Sequence, residues 1–186
     1  MTTNSGALSN RGQSSDSVRQ HNLSTVLRLV HLNRKILRSQ LTAITGLNRS
    51  TVSALISELE ELGLVVESES QGSSGVGRPS LMVAPNENVV AFSVNPEIDA
   101  TTVSVVTLSG KVVARSRKLM GFHPSPEDAI RVSTEVIAEM RKSFRPGTQI
   151  AGVGVSVPGQ VRSSDGVIRY APQLGWVESA FATALS

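Results

Sequence analysis

The feature that most constrains this 186-residue sequence is a glycine bend, at Gly46, between two helical patterns. Upstream of it, Ser39 is a good N-cap for a short helix running through Leu41 and Ile44 to Thr45. Gly46 tolerates positive φ and so ends that helix. Downstream, Asn48 can cap a longer helix whose buried face is Val52, Leu55, Ile56, Leu59 and Leu62, with Gly63 as its stop. An earlier stripe of Leu23, Val26, Leu27 and Val30 predicts a first helix ending near His31 and Leu32. Short helix, glycine turn and second helix at this spacing make a helix-turn-helix, with Val52 and Leu55 at its buried positions. Thr42 stands where a small Ala usually lets the two helices approach.

Two β-type runs follow, Leu64–Glu67 and Leu81–Val83, joined by the Gly- and Ser-rich stretch Ser70–Ser80. Two strands and a polar loop directly after three helices are the arrangement of a wing.

The polar face of the third helix carries the chemistry. Asn48, Arg49, Ser50, Thr51, Ser53 and Ser57 are short or basic and all form hydrogen bonds, as a helix entering a major groove requires. Arg49 suits a bidentate contact to guanine or a phosphate clamp. Ser50 and Thr51, with free backbone N–H groups at the helix start, suit phosphate oxygens. Glu58, Glu60 and Glu61 sit at the far end of the helix, away from phosphate. In the loop, Gly75-Val76-Gly77-Arg78-Pro79 presents Arg78 on a narrow backbone, the form in which an arginine enters a minor groove over A·T pairs. A helical bundle with a solvated polar face, a winged helix that binds protein, and a solvated hairpin tip are the plainer alternatives. The net charge of +3 is compatible with a nucleic-acid partner and weak evidence by itself.

Beyond Asn88 the chain changes character. Val89–Asn95, Thr101–Leu108 and Val112–Leu119 read as strands, the last two joined by a tight Ser109-Gly110 turn. Ser125-Pro126-Glu127-Asp128 is a strong helix start, and that helix is expected to run to about Phe144. The apolar run Ile150–Val157 predicts a strand buried on both faces. Pro158-Gly159 then turns the chain, Val167–Tyr170 reads as a further strand, and a last helix begins before Ser186. The expected organisation is a disordered tail over 1–17, a winged helix-turn-helix over 18–84, a linker over 85–88 and a second domain over 89–186. The fold class is mixed, α+β followed by α/β.

There is no cysteine, which excludes disulfides and thiolate metal sites, and no apolar run reaches the roughly 18 residues of a membrane span. A cytoplasmic protein without membrane contact is the expectation. His21, His31 and His123 lack metal-ligand spacing and are expected on the surface.

Several motifs, in order, resemble the repressor–ORF–kinase (ROK) family. They are Thr45-Gly46-Leu47-Asn48-Arg49-Ser50-Thr51-Val52-Ser53, then Glu58-Leu59-Glu60-Glu61-Leu62-Gly63-Leu64-Val65, then Gly77-Arg78-Pro79-Ser80. In the second region they are Gly152-Val153-Gly154-Val155-Ser156-Val157-Pro158-Gly159 and Ala171-Pro172-Gln173-Leu174-Gly175-Trp176. The resemblance implies a repressor of carbohydrate genes: a winged helix on double-stranded DNA, fused to part of a ribonuclease H-like, actin-type sugar-kinase domain. It also implies a sugar or sugar phosphate as effector, and a homo-oligomer on a palindromic operator. Gly159, Gln173 and Trp176 are the residues it offers to a ligand; an ordinary strand-end turn and a core tryptophan are the alternatives.

The sequence departs from that family in three places. Its kinases open this domain with Asp-x-Gly, and here the stretch reads Val94-Asn95-Pro96-Glu97, whose carboxylate repels phosphate. Gln173 stands where the family generally has Asn. The chain ends before the family's catalytic Asp and its zinc site. No catalysis, metal or cofactor is therefore expected, and the sensor is expected to be incomplete. A fragment acting through a full-length relative and a sugar-kinase lobe are the competing readings.

Overall fold

The computed structural model describes residues 9–69 and 81–185, with side chains from Ser15 onward. Two compact units divide at Asn86/Glu87, inside the segment expected to link them.

Unit 1 contains α1 (Ser9–Asn33), β1 (Ile36–Leu37), α2 (Arg38–Thr45), α3 (Arg49–Glu61), β2 (Val65–Glu69) and β3 (Leu81–Pro85). The strands form an antiparallel sheet in the order β1-β3-β2. Leu23, Val26 and Val30 of α1, Leu41 of α2, and Val52, Leu55, Ile56 and Leu59 of α3 close one core with Ile36, Val65 and Val83 of the sheet. Burying such aliphatic side chains stabilises by about 1.5–3 kcal/mol each before entropy is subtracted.

Three expectations need correction here. The segment expected as a tail is helical from Ser9, because extending a formed helix costs far less than nucleating one. Residues 1–8 lie outside the described residues. Helix α2 begins at Arg38, so Ser39 is inside it; the helix start is closed instead by Gln40, whose Oε1 accepts the Leu37 N–H at 3.0 Å. Leu62 follows the last turn of α3 and is half exposed rather than buried. Strand β1 has no sequence signal, since two residues are too few to show a period.

Unit 2 contains β4 (Val89–Pro96), β5 (Ala100–Thr107), β6 (Val112–Leu119), α4 (Pro126–Lys142), β7 (Gln149–Val155), β8 (Gln160–Val161), β9 (Ile168–Ala171), β10 (Trp176–Ser179) and α5 (Phe181–Ala184). The main sheet runs β6-β5-β4-β7, antiparallel except for the parallel β4–β7 pair; β10-β9-β8 form a small second sheet. The β5–β6 turn is the expected one, with Gly110 at φ 83° and its N–H bonded to the Thr107 carbonyl. Helix α4 starts as read: Ser125 Oγ accepts the Asp128 N–H at 3.2 Å, Pro126 opens the helix, and Ser125 donates back to the Asp128 carboxylate. It packs on β4, β5 and β6, burying Ala129 and Val136 against Phe92, Val94, Val103 and Val105.

Strand β7 contradicts the expectation of burial on both faces. Gln149 to Gly154 are exposed, and only Val155 is partly buried. The strand pairs with β4 on one side alone, and α4 covers the other three strands of the sheet. Its small apolar residues match a covered strand, but they are left exposed beside Ala182 of α5 and the Leu185 that follows it, which line a cavity with Gly152, Val153 and Val155.

Candidate nucleic-acid interface

The bend between α2 and α3 is fixed by local chemistry. Gly46 adopts the left-handed conformation, φ 69° and ψ 4°, and its N–H closes α2 on the Thr42 carbonyl at 3.1 Å. Thr42, the departure noted in the turn, bonds its hydroxyl back to the Arg38 carbonyl at 3.0 Å and so remains within the helix.

Asn48 has the extended backbone of an N-cap, φ −72° and ψ 161°. Its Oδ1 accepts the Thr51 N–H at 2.8 Å and the Ser50 hydroxyl at 2.7 Å. Both bonds run to an oxygen that only accepts, so Ser50 is the donor. Thr51 therefore does not offer the free backbone N–H expected of it. The Asn48 amide group keeps its two Nδ2 protons for an outside acceptor.

Arg49 and Ser50 are exposed on the first turn of α3 with Asn48, and Thr51 and Ser53 are half-buried on its flanks. Among the described residues, Arg49 has no ion pair or side-chain hydrogen bond, while Ser53 Oγ accepts Arg38 Nη1 at 3.2 Å. Two of the carboxylates at the far end are engaged: Glu58 pairs with Arg19, and Glu60 Oε1 accepts the Glu67 N–H at 3.1 Å. The arrangement presents donors and a free cation at the helix start, with Glu58 at the far end paired to Arg19. Arg78 lies outside the described residues. Strands β2 and β3, which lead into and out of its segment, are paired out to Glu69 and Leu81.

In unit 2, Gln173 lies with Asn95, Glu97, Asp99, Ser156 and Pro158 around an open cleft of about 480 Å³. It sits where the parallel strands β4 and β7 end, a position that favours ligands in open α/β sheets. Glu97 accepts the Thr102 hydroxyl at 2.6 Å and Arg117 Nε at 2.8 Å; Asp99 accepts Arg117 Nη2 at 3.0 Å. The Thr102 hydrogen bond, helped by the Arg117 guanidinium, holds the Glu97 carboxyl below its ordinary range against the opposing effect of burial.

The other two residues offered to a ligand are placed elsewhere. Trp176 is buried, stacked on Phe181 with ring centroids 5.2 Å apart, and its indole N–H donates to the Pro124 carbonyl at 2.9 Å. It is a core residue. At Gly159 a Cβ would lie 2.5 Å from the Tyr170 carbonyl oxygen and 2.9 Å from Ala171 Cα, so close packing requires the glycine. His123 is exposed, with Nε2 2.8 Å from the Gln173 carbonyl. No group of three or more His, Cys, Asp or Glu that could hold a metal occurs among the described residues, and none of their helices is long and apolar enough to cross a membrane.

Sequence reasoning missed Arg38 and Glu67. Neither has a periodic or motif signal, because what marks them is their meeting across 29 positions.

Three relatives bear on this geometry. The chain is 27% identical over 160 residues to the xylose repressor of Caldicellulosiruptor bescii, covering 86% of this chain and 40% of that protein. To the DNA-binding transcriptional dual regulator NagC of Escherichia coli K12 it is 28% identical over 164 residues, covering 86% and 39%. The chain thus spans about 40% of the length of the curated relatives it matches. A crystal structure of a ROK family transcriptional regulator, a homologue of the E. coli MLC protein, superposes with a TM-score of 0.67 at 19% identity over 90% of this chain and 42% of that one. That likeness shows a shared mixed α and β fold. No protein-family model matches the chain.

Proposed function

From the premise that this chain is a member of the ROK family of transcriptional regulators, we propose that it binds double-stranded DNA through unit 1, as a winged helix-turn-helix repressor of carbohydrate genes, and answers to a sugar bound by unit 2. The observation that carries the DNA reading is the start of α3: Asn48 organises the first turn while Arg49 stands exposed and unpaired among the described residues. Such a turn enters the major groove with Arg49 on guanine or phosphate. The pairing of β2 with β3 supports a wing, with Arg78 as its minor-groove contact. An operator with two half-sites, read by a homo-oligomer, follows for a domain of this kind.

For the effector, the cleft around Gln173 favours an uncharged sugar over a sugar phosphate. Glu97 and Asp99 share one arginine, which leaves the wall with a net negative charge. The same charge argues for binding and against phosphoryl transfer. Ligand would act by shifting the population between arrangements that hold DNA and arrangements that do not.

Binding is tested by enriching duplexes from a random library on the whole chain and titrating the enriched and random duplexes at several salt concentrations. The expected result is salt-dependent affinity for both and a preference for the enriched set. Absence of salt-sensitive binding to any duplex would sink the reading.

A further inference from the structure

Arg38, at the first position of α2, makes a bidentate ion pair with Glu67 of β2, its Nε and Nη2 reaching the two carboxylate oxygens. Its third nitrogen, Nη1, donates to Ser53 Oγ on α3 at 3.2 Å. The backbone N–H of Glu67 in turn donates to Glu60 Oε1, also on α3. One guanidinium thus ties together α2, the outward face of α3 and the strand that leads into the segment carrying Arg78. The pair is sheltered: 26% of the arginine side chain and 12% of the glutamate side chain are exposed. Exposed ion pairs are worth little, but a sheltered fork-to-fork pair with a further hydrogen bond fixes geometry as well as charge.

We infer that Arg38 is a positioning residue for DNA recognition, holding α2 and β2 at a set angle to α3 so that the first turn of α3 is presented to a groove. The inference rests on the DNA-binding reading above. It also assigns Arg38 away from the phosphate backbone, although a basic residue beside such a helix would ordinarily be counted there: Glu67 neutralises it and its fork is already filled. Glu67 has no other role that its position explains, since an acid on a strand next to DNA would otherwise repel phosphate.

Arg38→Lys and Glu67→Gln, made in the whole chain, test this. Lysine keeps the charge and loses the fork; glutamine keeps the size and one acceptor and loses the charge. Each variant is expected to bind the duplexes enriched by the unmodified chain about tenfold more weakly, the scale of one charge-assisted hydrogen bond. Affinity for random duplexes and the salt slope should be unchanged, because no phosphate contact is lost. If Arg38 were a phosphate contact, Arg38→Lys would bind like the unmodified chain and Glu67→Gln, by freeing a cation, would tighten every duplex; either result overturns the inference. A loss of binding that merely follows loss of helical circular dichroism also overturns it. Should the unmodified chain enrich no duplex, the DNA reading itself fails, an outcome distinct from variants that bind as well as their parent.

Discussion

Ser50 gives its hydroxyl proton to Asn48 Oδ1 across 2.7 Å, while the same oxygen caps the Thr51 N–H at 2.8 Å. One side chain thus both ends the backbone's need for a partner and decides how its neighbour faces outward. Capping and recognition are separable at this position. Asn48→Ala is expected to destabilise unit 1 by about 0.5–2 kcal/mol through loss of the cap. Asn48→Asp keeps the cap, and its charge suits a helix start, so thermal stability should be held. In the proposed complex that same charge would face phosphate, and the affinity for enriched and random duplexes should fall alike. Unfolding curves and binding titrations on both variants check the pair of outcomes.

Arg49→Ala removes an exposed cation that supports nothing else among the described residues. The melting temperature should stay within a degree or two, since surface changes of this kind are usually within about ±0.5 kcal/mol. Affinity for the enriched duplexes should drop by about 1–3 kcal/mol if the guanidinium reads a base. An equal loss on random duplexes, with a salt slope shallower by about one, assigns it to phosphate instead.

Gly46 and Gly159 are required for different physical reasons, and alanine at each should show it. At Gly46 a Cβ meets nothing within 4 Å, so the cost of Gly46→Ala is the left-handed backbone alone, about 1–2 kcal/mol. Gly46→Asn should recover part of it, because Asn tolerates that conformation. At Gly159 the Cβ collides with backbone of β9, and no side-chain rotation relieves it. Gly159→Ala should therefore destabilise unit 2 by about 1–3 kcal/mol and leave duplex binding by unit 1 unchanged. Unfolding followed at Trp176 fluorescence, alongside duplex titration, separates the two effects.

Asp128 is held below the ordinary carboxylate range, first by its hydrogen bond from the Ser125 hydroxyl and then by Arg131. A group whose pKa is lowered by folding contributes stability above its unfolded value and loses that contribution as pH falls through the folded one. The difference in melting temperature between the parent chain and Asp128→Asn should accordingly be constant near neutrality and shrink below about pH 4, where free carboxylates titrate. A difference that persists undiminished into acid would show that the carboxylate charge plays no part in the cap.

Most of what the sequence reading got right is decided within a turn or two of chain, although the start of α2 at Arg38 was misread there too. Gly46 ends α2 because only positive φ closes that turn, Asn48 caps α3 because its side chain reaches its own backbone, and Ser109-Gly110 and Ser125-Pro126 act in the same way. Helical stripes such as Leu23, Val26 and Val30 were legible because a fixed period marks one face. The same logic misread Ile150–Val157, where apolar composition predicted cover that β7 does not have, and it read the tail too long, since polar composition does not stop a helix already formed. Of the candidate site, the first turn of α3 was visible in the sequence, but the commitments of Ser50, Thr51 and Ser53 were not.

What the sequence alone determined is the helical stripes, the turns at Gly46 and Gly110, the caps at Asn48 and Ser125 and the polar start of α3, since periodicity, caps and turns are encoded by neighbours. Only the tertiary structure decided that Arg38 meets Glu67, that Trp176 bonds Pro124 across 52 positions and belongs to the core, and that Gly159 is needed for close packing. These are contacts between distant parts of the chain, and their energy exists only once the hydrophobic cores have brought those parts together.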